Sequence, residues 1–307
     1  MVLVEHFRLQ KRMTAASILG AMRNMGLGAG ELARAFDILS EMRLDGTCTK
    51  FMGVAGAVIP AGLRSVIAHM AKHGYMDAIV LTGAGVTHDL MEGLGERPSL
   101  LRGHRSDELL LRSGFHRIYD IAVKQGSYIK LESFVKRVLQ TLPTGAYGTY
   151  RVIEAMGSAI KDPGSIVRQC CLSKIPVYSP GIVDSVLGSQ IWARSQGRVK
   201  INVLEDMNHI VEKAWSSTRA GALFLGGGVP KHFILLAAHT ADRPLSYAVQ
   251  ITMDRPEHGG LSGAKLEEAV SWRKLLPRAK KADLVCDASI ALPLLVAGLE
   301  ERNSHKP

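Results

Sequence analysis

The sequence predicts an α/β fold, Rossmann-like and doubly wound, with a mainly parallel sheet and helices on both faces. Short apolar, β-prone runs alternate with longer helix-like runs. The short runs are apolar throughout, as in strands covered on both faces. Glycine-rich turns follow several of them directly. The predicted strands are residues 51–55, 78–82, 175–178, 222–225, 247–252 and 283–286. The helices predicted between them include residues 58–72, 207–217, 231–238 and 266–276.

Two helices are predicted ahead of the first strand. Thr14 is a suitable N-cap for a helix that begins at Ala15. A second helix is indicated by apolar residues on one face, namely Leu32, Phe36, Leu39 and Met42. No Pro/Ser-rich linker or repeat divides the chain. We therefore expect a single domain over residues 1–307, with a helical N-terminal extension of about residues 1–48.

The composition is that of a globular chain with a sizeable core. Hydrophobic residues make up 47% and charged residues 21% of the 307 residues, and the net charge is +10. The Lys and Arg residues are scattered, aromatic residues are only 6%, and the densest basic run is Arg278-Ala279-Lys280-Lys281. These features disfavour nucleic-acid binding as the main function. A basic surface that faces an anionic cofactor or an acidic partner is equally consistent with the charge.

Membrane insertion, secretion and a metal site are not expected. No apolar stretch approaches the roughly 20 residues that span a bilayer. The N-terminus has no apolar segment typical of a signal peptide, so we expect a cytoplasmic protein. The four cysteines form no CxxC motif and no zinc-type pairing with histidine, which favours reduced, buried thiols.

Glycine turns at strand ends are the first candidate binding elements. Ligands of parallel sheets bind at the carboxyl ends of the strands, and backbone N–H groups at a helix start can hold a phosphate. Thr82-Gly83-Ala84-Gly85 follows one predicted strand, and Gly226-Gly227-Gly228 follows another. The first turn is a weak signal, whereas three consecutive glycines favour close approach of the backbone to a ligand. No Gly-Lys-Ser/Thr follows, which argues against an ATPase-type phosphate loop.

Polar residues near these strand ends allow two interpretations each. His232 comes early in the predicted helix after the glycine turn, where the helix start would favour the neutral base; it is equally consistent with a partly exposed helix residue. Asp287, followed by Ala288 and Ser289, either binds ribose hydroxyls or caps the next helix, and capping is favoured unless a nucleotide is present. Asp184 has the same ambiguity.

The stretch Gly259-Gly260-Leu261-Ser262-Gly263-Ala264, followed by Glu268-Ala269-Val270-Ser271-Trp272-Arg273-Lys274, is the strongest candidate for a site. A lysine beside another cation and an aromatic ring is a candidate amine nucleophile, because desolvation and a like charge favour the neutral amine. A surface lysine at a helix end is the simpler interpretation. Glu268 and Lys274 would not share a face of a regular helix, since six residues turn it by about 600°. They converge only if the segment unwinds after Trp272, or if a neighbouring chain supplies one of them.

Taken in order, four blocks of the sequence resemble the deoxyhypusine synthase family, in the short form found in archaea. The resemblance covers roughly residues 49–297 and is densest from residue 223 onward. The blocks are Leu225-Gly226-Gly227-Gly228-Val229-Pro230-Lys231-His232, Ser262-Gly263-Ala264, Glu268-Ala269-Val270-Ser271-Trp272-Arg273-Lys274, and Asp287-Ala288-Ser289 with Pro293-Leu294-Leu295.

The resemblance implies a transferase that uses NAD without net redox change. The family moves the aminobutyl group of spermidine, through an imine on an enzyme lysine, to one lysine of translation initiation factor 5A, and it is typically a homotetramer with sites at dimer interfaces. By position, Lys274 would form the imine, His232 would handle protons, Glu268 would bind an amine and Trp272 would line the pocket. The residues implied for NAD binding are Thr82, Gly83, Asp184, Gly226, Gly227, Gly228, Gly259, Asp287, Ala288 and Ser289.

Two departures from the family pattern affect the substrate. Ser189 and Leu261 occupy positions where eukaryotic members carry acids, and each lost charge-assisted hydrogen bond to an amine is worth about 1.5–3 kcal/mol. Agmatine or a related diamine is therefore a second candidate substrate.

A further departure lies near the first strand, where Gly56-Ala57 replaces the family's Ser-Asn and weakens that part of the implied NAD site. Two further functions are consistent with the sequence, a homospermidine-synthase-like enzyme and a non-catalytic NAD-binding protein.

Overall fold

The structure is a computed structural model that describes residues 2–103 and 106–304. Two compact units are distinguished by their internal contacts. Unit 1 is formed within residues 1–55, 75–80 and 207–307, and unit 2 within residues 56–74 and 81–206. The expectation of one domain over residues 1–307 stays a prediction.

The helices and strands alternate along most of the chain. The helices are α1 (Ala15–Ala21), α2 (Leu27–Leu44), α3 (Arg64–Lys72), α4 (Gly83–Gly93), α5 (Asp107–Arg112), α6 (Gly126–Thr141), α7 (Thr149–Ala159), α8 (Ile166–Leu172), α9 (Val186–Ser195), α10 (Val203–Trp215), α11 (Gly228–Thr240), α12 (Glu268–Ser271) and α13 (Ala288–Ser304). The strands are β1 (Cys48–Val54), β2 (Ala78–Leu81), β3 (Ser99–Leu100), β4 (Phe115–Ile118), β5 (Ile121–Lys124), β6 (Gly145–Tyr147), β7 (Val177–Tyr178), β8 (Val199–Ile201), β9 (Arg219–Leu225), β10 (Leu245–Thr252) and β11 (Leu275–Val285).

Unit 1 contains a parallel sheet in the strand order β11-β10-β9-β1-β2. The pairs β1–β9, β9–β10 and β10–β11 are all parallel. The inner strand β9 is buried from its second residue to its last, which explains its unbroken apolar sequence. The predicted α/β class, a mainly parallel sheet flanked by helices, is confirmed.

The core of unit 1 forms where helices pack on this sheet. A Cβ atom at Gly53 in β1 would lie 3.0 Å from the Phe224 ring and 3.2 Å from the Ile234 side chain of α11. Glycine at this position therefore lets α11 approach the sheet closely. On α2, Phe36 and Leu39 are buried as the periodicity predicts.

Helix α1 begins at Ala15, as the sequence predicts. Thr14 is the N-cap of α1, and its hydroxyl accepts a hydrogen bond from Ser17 N–H. The carboxylate of Glu301 accepts from Ala15 N–H and Ala16 N–H, the latter at 2.7 Å. An acid at a helix N-terminus interacts favourably with the helix dipole, so α1 is attached to α13.

One predicted helix is largely wrong. Residues 266–276 form only the single turn α12, and Leu275 already begins β11. The strand is therefore eleven residues long instead of the predicted four. It is the edge strand of unit 1, with exposed positions between buried ones, and it contains the basic run around Lys280. Charged side chains on an edge strand give the same mixed pattern as an exposed helix face.

Unit 2 contains two small sheets and a buried ion pair. Strands β3, β5 and β4 form an antiparallel sheet, and β6 pairs with β8 in parallel. Asp89, fully buried on α4, accepts hydrogen bonds from Arg64 Nε at 2.7 Å and from the N–H groups of Ile166 and Val167. These last two groups are the free donors at the start of α8, so Asp89 joins α3, α4 and α8.

Among residues 2–103 and 106–304, no helix combines the length and the apolar character needed to cross a membrane. Within that same part of the chain, no group of three or more His, Cys, Asp or Glu side chains is arranged to hold a metal ion.

Candidate functional site

Four strands of unit 1 end at one edge of the sheet. Val54 of β1 and Ile251 of β10 are both in register with Leu225 of β9, and Thr252 is in register with Val285 of β11. The glycine turn, residues 226–228, begins immediately after β9 at this edge. Parallel sheets bind ligands at such an edge.

The three glycines of the turn have different roles. Gly226 has φ +70°, and a Cβ atom there would lie 3.3 Å from the Ala55 carbonyl oxygen. A Cβ atom at Gly227 would lie 2.3 Å from the Cα atom of Ser262, so only glycine permits this contact. Gly228 has φ +56°, and a Cβ atom there would meet no atom within 4 Å. The left-handed backbone accounts for glycine at positions 226 and 228, and packing accounts for it at position 227. Gly228 in addition leaves open space at the start of the 13-residue helix α11.

Asp287 caps the helix after β11, as one of its two interpretations predicts. Its Oδ1 atom accepts from Ser289 N–H at 2.8 Å, and α13 begins at Ala288. The carboxylate is exposed, whereas Ala288 is buried. Nucleotide binding by these three residues stays a prediction.

The residues of unit 2 that were predicted to bind NAD lie at two helix starts. Thr82 is the N-cap of α4, and its hydroxyl accepts from Gly85 N–H at 3.1 Å. A Cβ atom at Gly83 would lie 2.4 Å from Oγ of Ser185, the N-cap of α9 that follows Asp184. The two segments are therefore in contact, and packing alone accounts for glycine at position 83.

Lys274 follows a helix end that explains how the segment unwinds. Helix α12 ends at Ser271, and Arg273 has φ +54°, the left-handed conformation. Arg273 N–H donates to Val270 O at 3.0 Å, and Lys274 N–H donates to Ala269 O at 2.9 Å. This pair of bonds is the Schellman motif, which ordinarily uses glycine at the left-handed position. The segment therefore unwinds at Trp272, which meets one of the two conditions under which Glu268 and Lys274 could converge.

The Lys274 side chain contacts an aromatic ring. Its Nζ atom lies 5.3 Å from the ring centroid of Trp272, within the range of a cation–π interaction. Lys274 is half-buried, whereas 67% of Trp272 is exposed. In the described residues, Lys274 Nζ has no hydrogen-bond partner, and its one described contact is the Trp272 ring.

The imidazole of His232 responds to the charge of Lys274. Burial is the main cause that lowers the pKa of His232 from its usual 6.5, and the positive charge of Lys274 adds to the effect. The lowered pKa agrees with the neutral form predicted for this histidine, although the cause is burial and a neighbouring cation instead of the helix start. The Lys274 backbone lies at the amino ends of β10 and β11, because its carbonyl accepts from Leu245 N–H at 2.9 Å.

Gly259 directly precedes residues 260–267 in the sequence, and Glu268 directly follows them. Glu268 is the exposed first residue of α12, and its Oε1 atom accepts from Lys265 N–H at 3.2 Å. Gly259, with φ +71°, ends a short 3₁₀ turn at Pro256–His258 and is also exposed. Amine binding by Glu268 and NAD binding by Gly259 stay predictions.

Sequence reasoning missed Lys231 and Gln250. Lys231 is only 3% exposed, and its Nζ atom donates to Gln250 Oε1 at 2.7 Å and to Leu261 O at 3.2 Å. Burial lowers the pKa of Lys231 to about 8, against the attraction of Asp283 and Glu268. The available signal was Gln250 itself, a polar side chain in a strand that is otherwise buried and apolar, because buried polar groups require partners.

A second missed group lies in the same loop, around Asp254. Its carboxylate accepts from the hydroxyl of Ser262, and its Oδ1 atom lies 2.7 Å from Nδ1 of His258. Those two contacts hold the pKa of Asp254 down at about 2. Because Ser262 bonds to the acid and not to the histidine, this is not the arrangement of a serine nucleophile and its base. The three residues stabilise the loop instead.

Comparison with protein families gives one match over most of the chain. The family model described as "Deoxyhypusine synthase" matches residues 17–299. The protein named "Probable deoxyhypusine synthase 1" of Methanosarcina mazei is 37% identical over 304 residues, which is 99% of this chain and 96% of that protein. The one of the same name from Archaeoglobus fulgidus is 36% identical over 294 residues, 96% of each.

Solved structures show the same fold at lower sequence identity. A structure from Entamoeba histolytica, assigned to deoxyhypusine synthase, has a TM-score of 0.66 at 16% identity and covers 96% of both chains. The structure of AgrE in a ternary complex with ornithine and NAD+ has a TM-score of 0.53 at 13% identity, over 90% of this chain and 34% of that one. At these identities the similarity shows the fold alone.

Proposed function

Because this chain belongs to the deoxyhypusine synthase family, we propose that it transfers the aminobutyl group of spermidine to one lysine of translation initiation factor 5A. The transfer uses NAD, involves an imine on Lys274 and causes no net redox change. The observation that carries the proposal is the pair formed by Lys274 and His232. An amine with no hydrogen-bond partner in the described residues acts electrostatically on a histidine whose pKa is lowered mainly by burial.

The chemistry assigned to this pair is covalent catalysis assisted by a neutral base. The Lys274 amine attacks the carbon of the imine derived from spermidine. A new C–N bond forms, the C–N bond to 1,3-diaminopropane breaks, and the group is held as an imine on Lys274. His232 accepts and returns the protons that this exchange moves between nitrogen atoms. The Trp272 ring, 5.3 Å from Nζ, forms an apolar wall for the alkyl chain.

The residues at the sheet edge fit NAD. Gly228 exposes backbone at the start of α11, where the helix N-terminus favours the negative charge of a pyrophosphate. Asp287, Ala288 and Ser289 form a second helix start beside the end of β11. When bound, NAD would accept a hydride from the amine and later return it. Within unit 1, we assign further contacts of NAD to Gly226, Gly227 and Gly259. The NAD contacts expected of Thr82, Gly83 and Asp184, which belong to unit 2, stay predictions.

The identity of the amine is the open part of the proposal. Leu261 is 49% exposed and offers only its carbonyl oxygen as a polar group, which already accepts from Lys231. The hydroxyl of Ser189 donates to the carbonyl of Val186 in its own helix. Neither residue supplies a carboxylate, so Glu268 is the acid we assign to an amine. Agmatine, which needs fewer amine anchors, is the second candidate substrate.

Label transfer separates these possibilities. The full chain is incubated with NAD, purified factor 5A and either labelled spermidine or labelled agmatine, and the label on each component is measured. With labelled spermidine we expect label on factor 5A, and we expect no label on it when the chain carries Lys274→Arg. Label transferred from agmatine instead would identify the second candidate substrate. The matched control is Lys265→Arg, an exposed lysine of the same segment, which should retain transfer.

Two further outcomes would indicate a different function, and a third would contradict the proposal. Label that reaches a small amine but never the protein indicates a homospermidine-synthase-like enzyme. NAD binding without any transfer indicates a non-catalytic NAD-binding protein. Absence of both NAD binding and transfer contradicts the proposal.

A further inference from the structure

Lys231 is a buried lysine with three neutral acceptors. Its Nζ atom donates to Gln250 Oε1, to Leu261 O and, in a shorter contact, to Ala264 O. The ammonium has three N–H groups, and each one thus has an acceptor. Two of the acceptors are backbone carbonyls of the glycine loop, residues 259–264.

Gln250 extends the contact to the glycine turn. Its Nε2 atom donates to Ser262 O at 2.7 Å and to Gly226 O at 3.3 Å, while its Oε1 atom accepts from Lys231. One side chain of β10 therefore bonds to the glycine turn, to the glycine loop and to Lys231. The close packing of Gly227 against Ser262 lies in the same place.

The surroundings of Lys231 indicate a structural role for its ammonium, whose burial costs free energy. Each of the three atoms that accept from Nζ is an uncharged oxygen, and an ammonium buried among neutral dipoles is costly unless it is fully hydrogen-bonded. The carboxylates that act on it, Asp283 and Glu268, do so as electrostatic neighbours and not as partners of a hydrogen bond. The three bonds join α11 to β10 and to the glycine loop.

We propose that Lys231 is a positioning residue that holds the glycine loop against the glycine turn. The loop then forms a fixed wall over the turn, and Gly228 stays open toward the ligand. The consequence for NAD rests on the function proposed above, whereas the holding of the loop does not. Lys231 also differs from Lys274 in its chemistry, since its amine is fully bonded and not available as a nucleophile.

The loop can be followed by hydrogen exchange of its backbone amides in the full chain. Gly263 and Ala264 N–H groups donate to Gly260 O within the loop, so their exchange reports its opening. In Lys231→Met we expect these amides to exchange at least ten times faster, while the amides of β9 stay unchanged. Lys265→Met removes an exposed lysine of the same segment and should leave the loop unchanged.

A second variant covers the case in which Lys231→Met does not fold. Gln250→Glu keeps the acceptor that faces Lys231 and removes the donor to Ser262 O, so the loop should again exchange faster. Unchanged loop exchange in the variants that fold would overturn the proposal. Equal acceleration in the loop and in β9 would also overturn it, because the lysine would then stabilise the unit as a whole.

Kinetics distinguish positioning from catalysis. With Lys231→Met we expect the KM for NAD to rise at least tenfold and kcat to stay within threefold of the wild type. A collapse of kcat with an unchanged loop would make Lys231 a catalytic residue and overturn the proposal. If the wild type neither binds NAD nor transfers the label, the proposed function fails, and the exchange data still decide the role of Lys231.

Discussion

Lys231 is the chain neighbour of His232 and Lys274 acts on His232 through its charge, but the environments of the two lysines are opposite. Lys231 precedes His232 in α11 but is buried, and its ammonium is fully hydrogen-bonded. Lys274 is half-buried beside an aromatic ring, and its charge acts on His232. A nucleophile requires a free electron pair, whereas a positioning group requires all of its donors to be bonded. The contrast supports the proposal that Lys274, and not Lys231, takes the covalent step.

The coupling of His232 to Lys274 predicts a specific titration. Because the charge of Lys274 helps to lower the pKa of His232, Lys274→Gln should raise this pKa toward the usual value. NMR titration of the His232 ring measures it, and Lys265→Gln should leave it unchanged. An unchanged or lower pKa in Lys274→Gln would show that the two side chains do not interact.

The same pKa sets the direction of the pH dependence. The folded-state pKa of His232 lies below 6.5, so the imidazole is neutral at pH 7 and gains a proton as the pH falls through that pKa. If the neutral ring is the base, kcat/KM should fall on this acid side and be flat just above it. A pH–rate profile that rises toward acid pH would contradict the role of His232 as a base.

The glycine turn and the glycine loop act as one element, since Gly227 contacts Ser262 through backbone atoms. Gly227→Ala places a Cβ atom 2.3 Å from the Ser262 Cα atom. Overpacking of this kind costs about 1–3 kcal/mol, so we expect the free energy of unfolding in urea to drop by that amount. The loop should also be displaced, which would weaken NAD binding.

Gly260→Ala is the matched control in the same loop. A Cβ atom at Gly260 would have no neighbour closer than 3.9 Å, and its φ is not positive. We expect a change within about 0.5 kcal/mol. Equal effects of the two substitutions would mean that the contact between turn and loop does not exist in solution.

The sequence predicted correctly those elements whose signal lies in a few neighbouring residues, and it failed where tertiary contacts decide the structure. Thr14 and the glycines after β9 are local signals, and the structure places the helix and the turn as predicted. The helix predicted at residues 266–276 is wrong because edge-strand pairing overrides a pattern that also suits an exposed helix. The importance of Lys231 depends on its burial under the glycine loop, a tertiary contact that no spacing in the sequence contains.

At the scale of the whole molecule, exposed apolar side chains bear on whether several copies of the chain assemble. Several large apolar residues of unit 1 are at least half-exposed, among them Met253, Trp272 and Ile290. Exposed apolar surface near a site commonly marks an interface. The resemblance to the family adds the expectation of a homotetramer with sites shared between chains. Charge and composition alone could not predict an assembly, because they do not show which side chains stay exposed.

Sedimentation of the purified chain tests the assembly. We expect a species of about four times the chain mass of 33.3 kDa at micromolar concentration. Replacing the exposed Trp272 and Ile290 by serine should shift the distribution toward smaller species, whereas serine at the exposed Trp192 of unit 2 is the comparison. A wild-type monomer at all concentrations would contradict the expectation.

The position of the trapped intermediate shows which of the two lysines carries the imine. The full chain is incubated with NAD and spermidine, reduced with borohydride and digested, and the modified peptide is identified by mass spectrometry. We predict a single aminobutyl adduct on Lys274, with Lys231 unmodified, and no adduct in Lys274→Arg. An adduct on Lys231, or none on any lysine under conditions in which NAD binds, would contradict the assignment of the two lysines.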